Sequence, residues 1–291
     1  MIAADVGVVR RDLALRGIGI ILLSSFFFGV MAVCVRLAAR EMPPPQVAWV
    51  RFTGSLLVLL AVTRGRGLRP RASNRRALAL RGLLGAGAIM LYYIGISGAG
   101  AGLATLLHCT HPVFTALFAV SFLGEAFSAR IGAALALNLA GVLIVVGPGG
   151  NLGPAVLSGA ACAIAAAVLA GGAVATARHL RATESAALIT TYFMAVGSVA
   201  TAPSLIAGVP AATPFLALAL LGVVVPSVAG QWLLHHGLGF TSATQGGLAA
   251  ATMVISAAGL EALLLNEHLG SGALLGACLM IVAVVVASAK R

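Results

Sequence analysis

The stretch GLLGAGAIMLYYIGISGAGAGLATLLHCTHPVFTALFAVSFLG, residues 82–124, decides the fold. It contains no Asp, Glu, Lys or Arg. A membrane-crossing helix needs about 20 predominantly apolar residues, so this run is long enough for two spans, 82–98 and 102–123. Gly98, Gly100 and Gly102 mark a tight turn between them. The next charge-free run, 131–177, divides at PGGNLGP (148–154) into spans 131–147 and 155–177. The longest, 185–260, has room for three, and the spans read there are 186–207, 214–234 and 242–264. Spans 17–39, 46–63 and 270–288 bring the expectation to ten.

Composition agrees. Apolar residues make up 60% of the chain and charged residues 9%, whereas a soluble domain carries about 25% charged. A soluble fold of this size cannot hide so much apolar surface. The net charge of +11 sits between apolar runs, which argues against a nucleic-acid partner. Cys34, Cys109, Cys162 and Cys278 lie inside apolar runs with no C-x-x-C spacing, and read as small buried hydrophobes. The N-terminal apolar run is long enough to span, so it reads as a first helix, not a cleaved signal. The loops on one side of the membrane gather most of the basic residues. They hold Arg10, Arg11 and Arg16, the series Arg64, Arg66, Arg69, Arg71, Arg75, Arg76 and Arg81, then Arg130, Arg178, Arg181, Lys290 and Arg291. The other side holds Arg36 and Arg40. This asymmetry places both termini in the cytoplasm.

The sequence also aligns with itself. Laying Gly29 on Gly171 brings, at the same offset, Arg36 onto Arg178, Gly95 onto Gly237, and Glu125 onto Glu267. The chain divides into repeats 1–149 and 150–291, each of five spans. Five is odd, so the second repeat enters the membrane from the opposite side. The expected fold is an all-α integral membrane protein of ten helices in two inverted five-helix repeats. Inverted repeats let a protein open to either side by exchanging the conformations of its halves, and they characterise secondary transporters.

The segment PVFTALFAVSFLGE (112–125), with a mid-helix Pro and a terminal Leu-Gly-Glu, resembles the fourth span of the drug/metabolite transporter superfamily, EamA type. Val50-Arg51-Phe52 is similar to that family's second span. Phe28-Gly29 with Arg36 is similar to its first. Leu265-Asn266-Glu267 is the second-half echo. Val254 stands where the counterpart of Pro112 would fall, so the halves need not bend alike. The resemblance implies a midplane cavity lined by spans one to four and six to nine, with spans five and ten peripheral. It implies export of small metabolites through a multi-pass cytoplasmic (inner) membrane protein. An amino-acid exporter, similar to the aromatic amino-acid exporter branch, is the specific expectation.

Polar groups inside a bilayer are costly and therefore suspect. His108 and His111, spaced i, i+3, share a face beside Pro112; they line the cavity or bond neighbouring helices. Tyr92 and Tyr93 face about 100° apart, so one of them is expected to see the cavity. Arg51 binds a substrate carboxylate, snorkels, or pairs with Glu261. Gln231 and Gln245 bond substrate or stitch helices. Asn138 reads as interhelical glue. Gly29, Gly171, Gly246 and Gly247 are packing faces or hinge points, and Pro112 a bend. Glu125 and Glu267 end helices, where the dipole disfavours a carboxylate, so another group must hold them. No metal ligand set, cofactor motif or G-x-x-x-x-G-K-[ST] is present. The expected partners are a small-molecule substrate and the lipid bilayer, with the chain a monomer or weak homo-oligomer. Export of other small metabolites or drugs is the alternative. A lipid-acting membrane enzyme would need a nucleophile–base pair that the sequence does not offer.

Overall fold

A computed structural model describes residues 2–99, 104, 107–146, 154–211, 213–265 and 271–288. Its helices are α1 (Ile2–Ala38), α2 (Pro44–Thr63), α3 (Arg75–Ala99), α4 (His111–Leu123), α5 (Ala129–Val146), α6 (Pro154–Leu180), α7 (Ala186–Thr201), α8 (Pro214–Gly237), α9 (Ala243–Ala251), α10 (Met253–Leu265) and α11 (Ser271–Ser288). Six helical segments among the described residues are long and apolar enough to cross a membrane: Asp12–Ala38, Pro44–Thr63, Arg75–Gly95, Pro154–Leu180, Ala186–Ala207 and Pro214–Gly237. His111–Leu123, Ala129–Gly141 and Leu275–Ser288 are shorter apolar helices.

The helix ends follow local chemistry. Prolines open α2 and α8, where the missing N–H costs nothing. The side chains of Ser185, Thr213 and Ser242 accept from the backbone N–H three residues on, capping α7, α8 and α9. After α2 the chain turns left-handed at Arg64 (φ 51°) and Gly65 (φ 66°), which stops the helix.

Most of the close packing joins helices of different repeats. α1 lies against α8, and its counterpart α6 lies against α3. α1 also packs on α9 and α10, as α6 packs on α4. α2 meets α7, and α5 meets α11. Glycines permit these approaches, and they recur at the repeat spacing. A Cβ at Gly29 would lie 2.6 Å from the Ser256 Cβ, and one at Gly171 would lie 2.7 Å from the Phe114 Cβ. Gly54 receives Val224, and at the equivalent crossing Gly82 receives Val196. The small partner has changed sides while the fit is kept.

Two expected spans need correction. Spans 102–123 and 242–264 are not continuous helices. The first turns at Cys109-Thr110 before α4, and the second at Thr252 between α9 and α10. The two halves also bend alike, although one has a proline and the other a valine. Thr110 donates through Oγ1 to the Leu107 carbonyl at 2.6 Å, and Thr252 to the Ala249 carbonyl at 2.7 Å. Val113 N donates to Thr110 O, and Ile255 N to Thr252 O, both at 3.0 Å. A hydroxyl bonded back to a preceding carbonyl competes with the regular helical bond and tightens the turn. That device needs a threonine, not a proline.

Candidate substrate-binding site

The interior between α2, α3, α7 and α8 contains the polar groups that the apolar helices would otherwise exclude. Arg51, on the second turn of α2, is 5% exposed. Its Nε donates to Ser227 Oγ on α8 at 2.9 Å, and its guanidinium bonds the Tyr93 hydroxyl on α3. Ser227 follows Pro226, which interrupts the backbone ladder within α8. Tyr93 is buried, and its ring stands 6.0 Å from Tyr92. Tyr92 stacks on His108 at 4.6 Å, and His108 lies 5.9 Å from His111. His108 thus lies directly on the tyrosine pair, and His111, just past the turn at Thr110, lies behind it. The four residues form one continuous cluster, with both tyrosines included. The Nδ1 atoms of His108 and His111 are buried without a hydrogen-bond partner among the described residues, a costly state in an apolar interior unless another group reaches them.

A second polar group lies toward the end of the bundle where α3 begins. The sequence places Arg81 in a loop; the structure starts α3 at Arg75 and buries Arg81 to 4% exposure. The apolar run begins only at Gly82, so hydropathy alone misses the turn and a half of helix that precedes it. Arg81 Nη2 donates to His235 Nε2 at 3.0 Å, and the guanidinium lies 4.5 Å over the Phe193 ring. Thr190 Oγ1 donates to the Ala186 carbonyl at 2.8 Å, so it accepts from His235 Nδ1–H, also at 2.8 Å. The network therefore assigns His235 as the neutral Nδ1–H tautomer. Gln231 Nε2 is 3.3 Å from the same Nε2 atom. The Phe193 ring meets Phe52 edge-on at 5.3 Å, beside Arg51. The two arginines are linked through this aromatic pair.

None of the described carboxylates meets either arginine. Glu125 caps α9 from the other repeat, accepting from Ala243 N at 2.7 Å and Thr244 Oγ1 at 3.1 Å. Glu184 accepts from Arg71 N and from Asn74, and Glu41 from Thr213. Asp12 is exposed. Glu261 lies on α10 with its side chain outside those described, and Glu267 lies outside the described residues altogether. An uncompensated buried guanidinium costs roughly several kcal/mol.

Other sequence candidates stand apart from this interior. Gln245 accepts from Thr241 at 2.9 Å and donates to the Ala287 carbonyl at 2.8 Å, tying α9 to α11. Gly246 receives Leu238 and Gly247 receives Thr115. Asn138 is buried in α5 with neither amide atom paired among the described residues. Arg81, Thr190, Ser227 and His235 carry no motif that singles them out in sequence. The one available signal is position: the offset that lays Gly29 on Gly171 also lays Tyr93 on His235, the two groups that meet the arginines.

Comparison with known proteins follows the same halves. The EamA-like transporter family matches residues 15–147 and again 157–289. The pseudopaline exporter CntI of Pseudomonas aeruginosa strain UCBPP-PA14 is 29% identical over 235 residues, 80% of this chain and 82% of that protein. Human solute carrier family 35 member G1 is 30% identical over 129 residues, 44% of this chain and 35% of that one. A known crystal structure superposes with a TM-score of 0.77 at 18% identity, covering 92% of this chain and 94% of its own. That likeness concerns the fold. Two matched repeats that together span most of the chain place it in the EamA-like transporter family, as a multi-pass membrane transporter of small molecules and not an enzyme.

Proposed function

We propose that this protein is a secondary exporter of small carboxylate-bearing metabolites, amino acids foremost, working by alternating access. The observation that carries the reading is Arg51. It is buried, held by the hydroxyls of Tyr93 and Ser227, and meets no carboxylate among the described residues. Two neutral hydroxyls orient a guanidinium without neutralising it, and the fork remains available to a substrate carboxylate. The stacked Tyr92–His108 pair borders this position and supplies a surface for the rest of the solute.

Residues 1–149 and 150–291 are two halves related by an axis in the membrane plane. The exchange of packing partners supports this: α1 on α8 is answered by α6 on α3. Ten spans counted from the apolar runs agree with the charge asymmetry, which puts both termini in the cytoplasm of a bacterial-type inner membrane and so asks for an even number. Alternating access then amounts to each half taking the other's conformation.

Counterflow in liposomes tests the reading, with labelled amino acids that include the aromatic ones. Saturable uptake that unlabelled substrate accelerates from inside is expected for wild type, and Arg51→Gln should raise its KM about tenfold or more. Flux that never saturates would mean a channel. Flux unchanged in Arg51→Gln would remove the carboxylate site.

A further inference from the structure

Arg81 has no role in the site just described, yet it is as deeply buried as Arg51. Its Nε and Nη1 atoms have no hydrogen-bond partner among the described residues. Its third nitrogen is committed to a histidine that the surrounding network keeps neutral. Gly85, one turn on, leaves room for the guanidinium: a Cβ there would collide with Arg81 Nη1 and with Phe193. The cation is therefore housed, and its charge is not cancelled. Arg181, whose Nε donates to the His235 carbonyl at 2.8 Å, adds positive charge to the same end. Arg51 and Arg81 also interact electrostatically. Two like charges in one apolar interior repel each other, and each lacks a counter-charge among the described residues.

We propose that the transported solute carries two acidic groups, one for Arg51 and one for Arg81. This rests on the reading of Arg51 as a carboxylate site. It adds that Arg81 Nε and Nη1 form a second anion position, with His235 fixing the guanidinium from behind and Phe193 forming its floor. A solute with a single carboxylate leaves one buried cation unpaired. A dicarboxylate pairs both, so the charges that penalise the empty protein become its means of selection. The aromatic bridge of Phe52 and Phe193 separates the two anion positions and suits the carbon chain between the acidic groups.

Thermal unfolding of the purified full-length protein reads this directly. The probes are succinate, glutarate and L-glutamate against acetate, butyrate and L-alanine, at matched ionic strength. Dicarboxylates should raise the unfolding temperature at concentrations where their monocarboxylate partners do not. Arg81→Gln should weaken dicarboxylate binding about tenfold or more and erase the difference between the two sets. Arg81→Lys, which keeps the charge but not the fork, should retain part of it. If Arg81→Gln does not fold, the contrast between probe sets in wild type and in Arg81→Lys still decides. Equal stabilisation by both sets, or a dicarboxylate effect untouched in Arg81→Gln, overturns the second position and leaves Arg51 as proposed. No response to any of these acids overturns both.

Discussion

Residues 107–113 and 249–255 make the same turn with different chemistry. Each tightens at a threonine whose hydroxyl returns to the carbonyl three residues back. Around the first turn stand Tyr92, Tyr93, His108 and His111. At the equivalent positions of the second repeat stand Leu234, His235, Ala250 and Met253. Only the Tyr93/His235 position is polar in both, and it is the one that meets an arginine in each case. The backbone geometry belongs to both repeats; the tyrosine and histidine rings around the turn have collected in the first. A symmetric scaffold suffices to open toward either side, whereas a solute is not symmetric and needs an asymmetric lining.

Substitutions can break that contrast in graded ways. The largest effect belongs to the shared scaffold. Gly29→Leu and Gly171→Leu each force a side chain into backbone of the facing helix. Both should destabilise by about 2 kcal/mol or more, with little folded protein recovered by size-exclusion chromatography. If only one of them does so, the packing is less symmetric than the geometry indicates. Next comes the asymmetric chemistry. Arg51→Gln should raise the counterflow KM about tenfold or more, since a hydrogen bond to a charged group is worth about 1.5–3 kcal/mol, while folded yield stays near wild type.

A smaller effect separates the turns themselves. Thr110→Val and Thr252→Val each remove one hydroxyl bond, worth about 1 kcal/mol. Pro112 keeps the first turn from reverting to regular helix, because it has no N–H to give. Thr252 has no such support. Thr252→Val should therefore slow transport several-fold more than Thr110→Val, at similar losses in thermal stability; equal slowing would mean that the proline does not hold the turn. The smallest effect is Val254→Pro. That position starts a helix just after the turn, where proline is tolerated, so transport and unfolding temperature should stay close to wild type.

Much of this architecture is legible in the sequence because the bilayer imposes long apolar runs and because the repeat preserves spacing. Gly29 and Gly171 align between the halves, and both lie at crossings with the other half. The cluster of Tyr92, His108 and His111 is legible as intramembrane polar residues, though not as one stack. What escapes has a physical cause. Arg81 borders an apolar run, and composition cannot tell a loop arginine from one buried a turn and a half into a helix. Ser227 and Thr190 look like ordinary helix residues, and only tertiary packing aims them at Arg51 and His235. The turn at Thr252 escapes because proline is the familiar sign of a bend, while the residue repeated at 110 and 252 is threonine.

The interleaving of the repeats bears on how the chain is made. α1 leaves the ribosome long before α8 and α10, the helices it packs against, and α3 must wait for α6. Until then Arg51 lies in the membrane without Ser227, and Arg81 without His235. The first five helices are therefore not a finished unit when their synthesis ends. Their apolar faces hold them in the bilayer, but most of their contacts arrive only with the second repeat. Assembly of this transporter is consequently a late event in biosynthesis, and a nascent chain stalled near residue 150 would expose to membrane quality control the same buried cations that the finished protein hides.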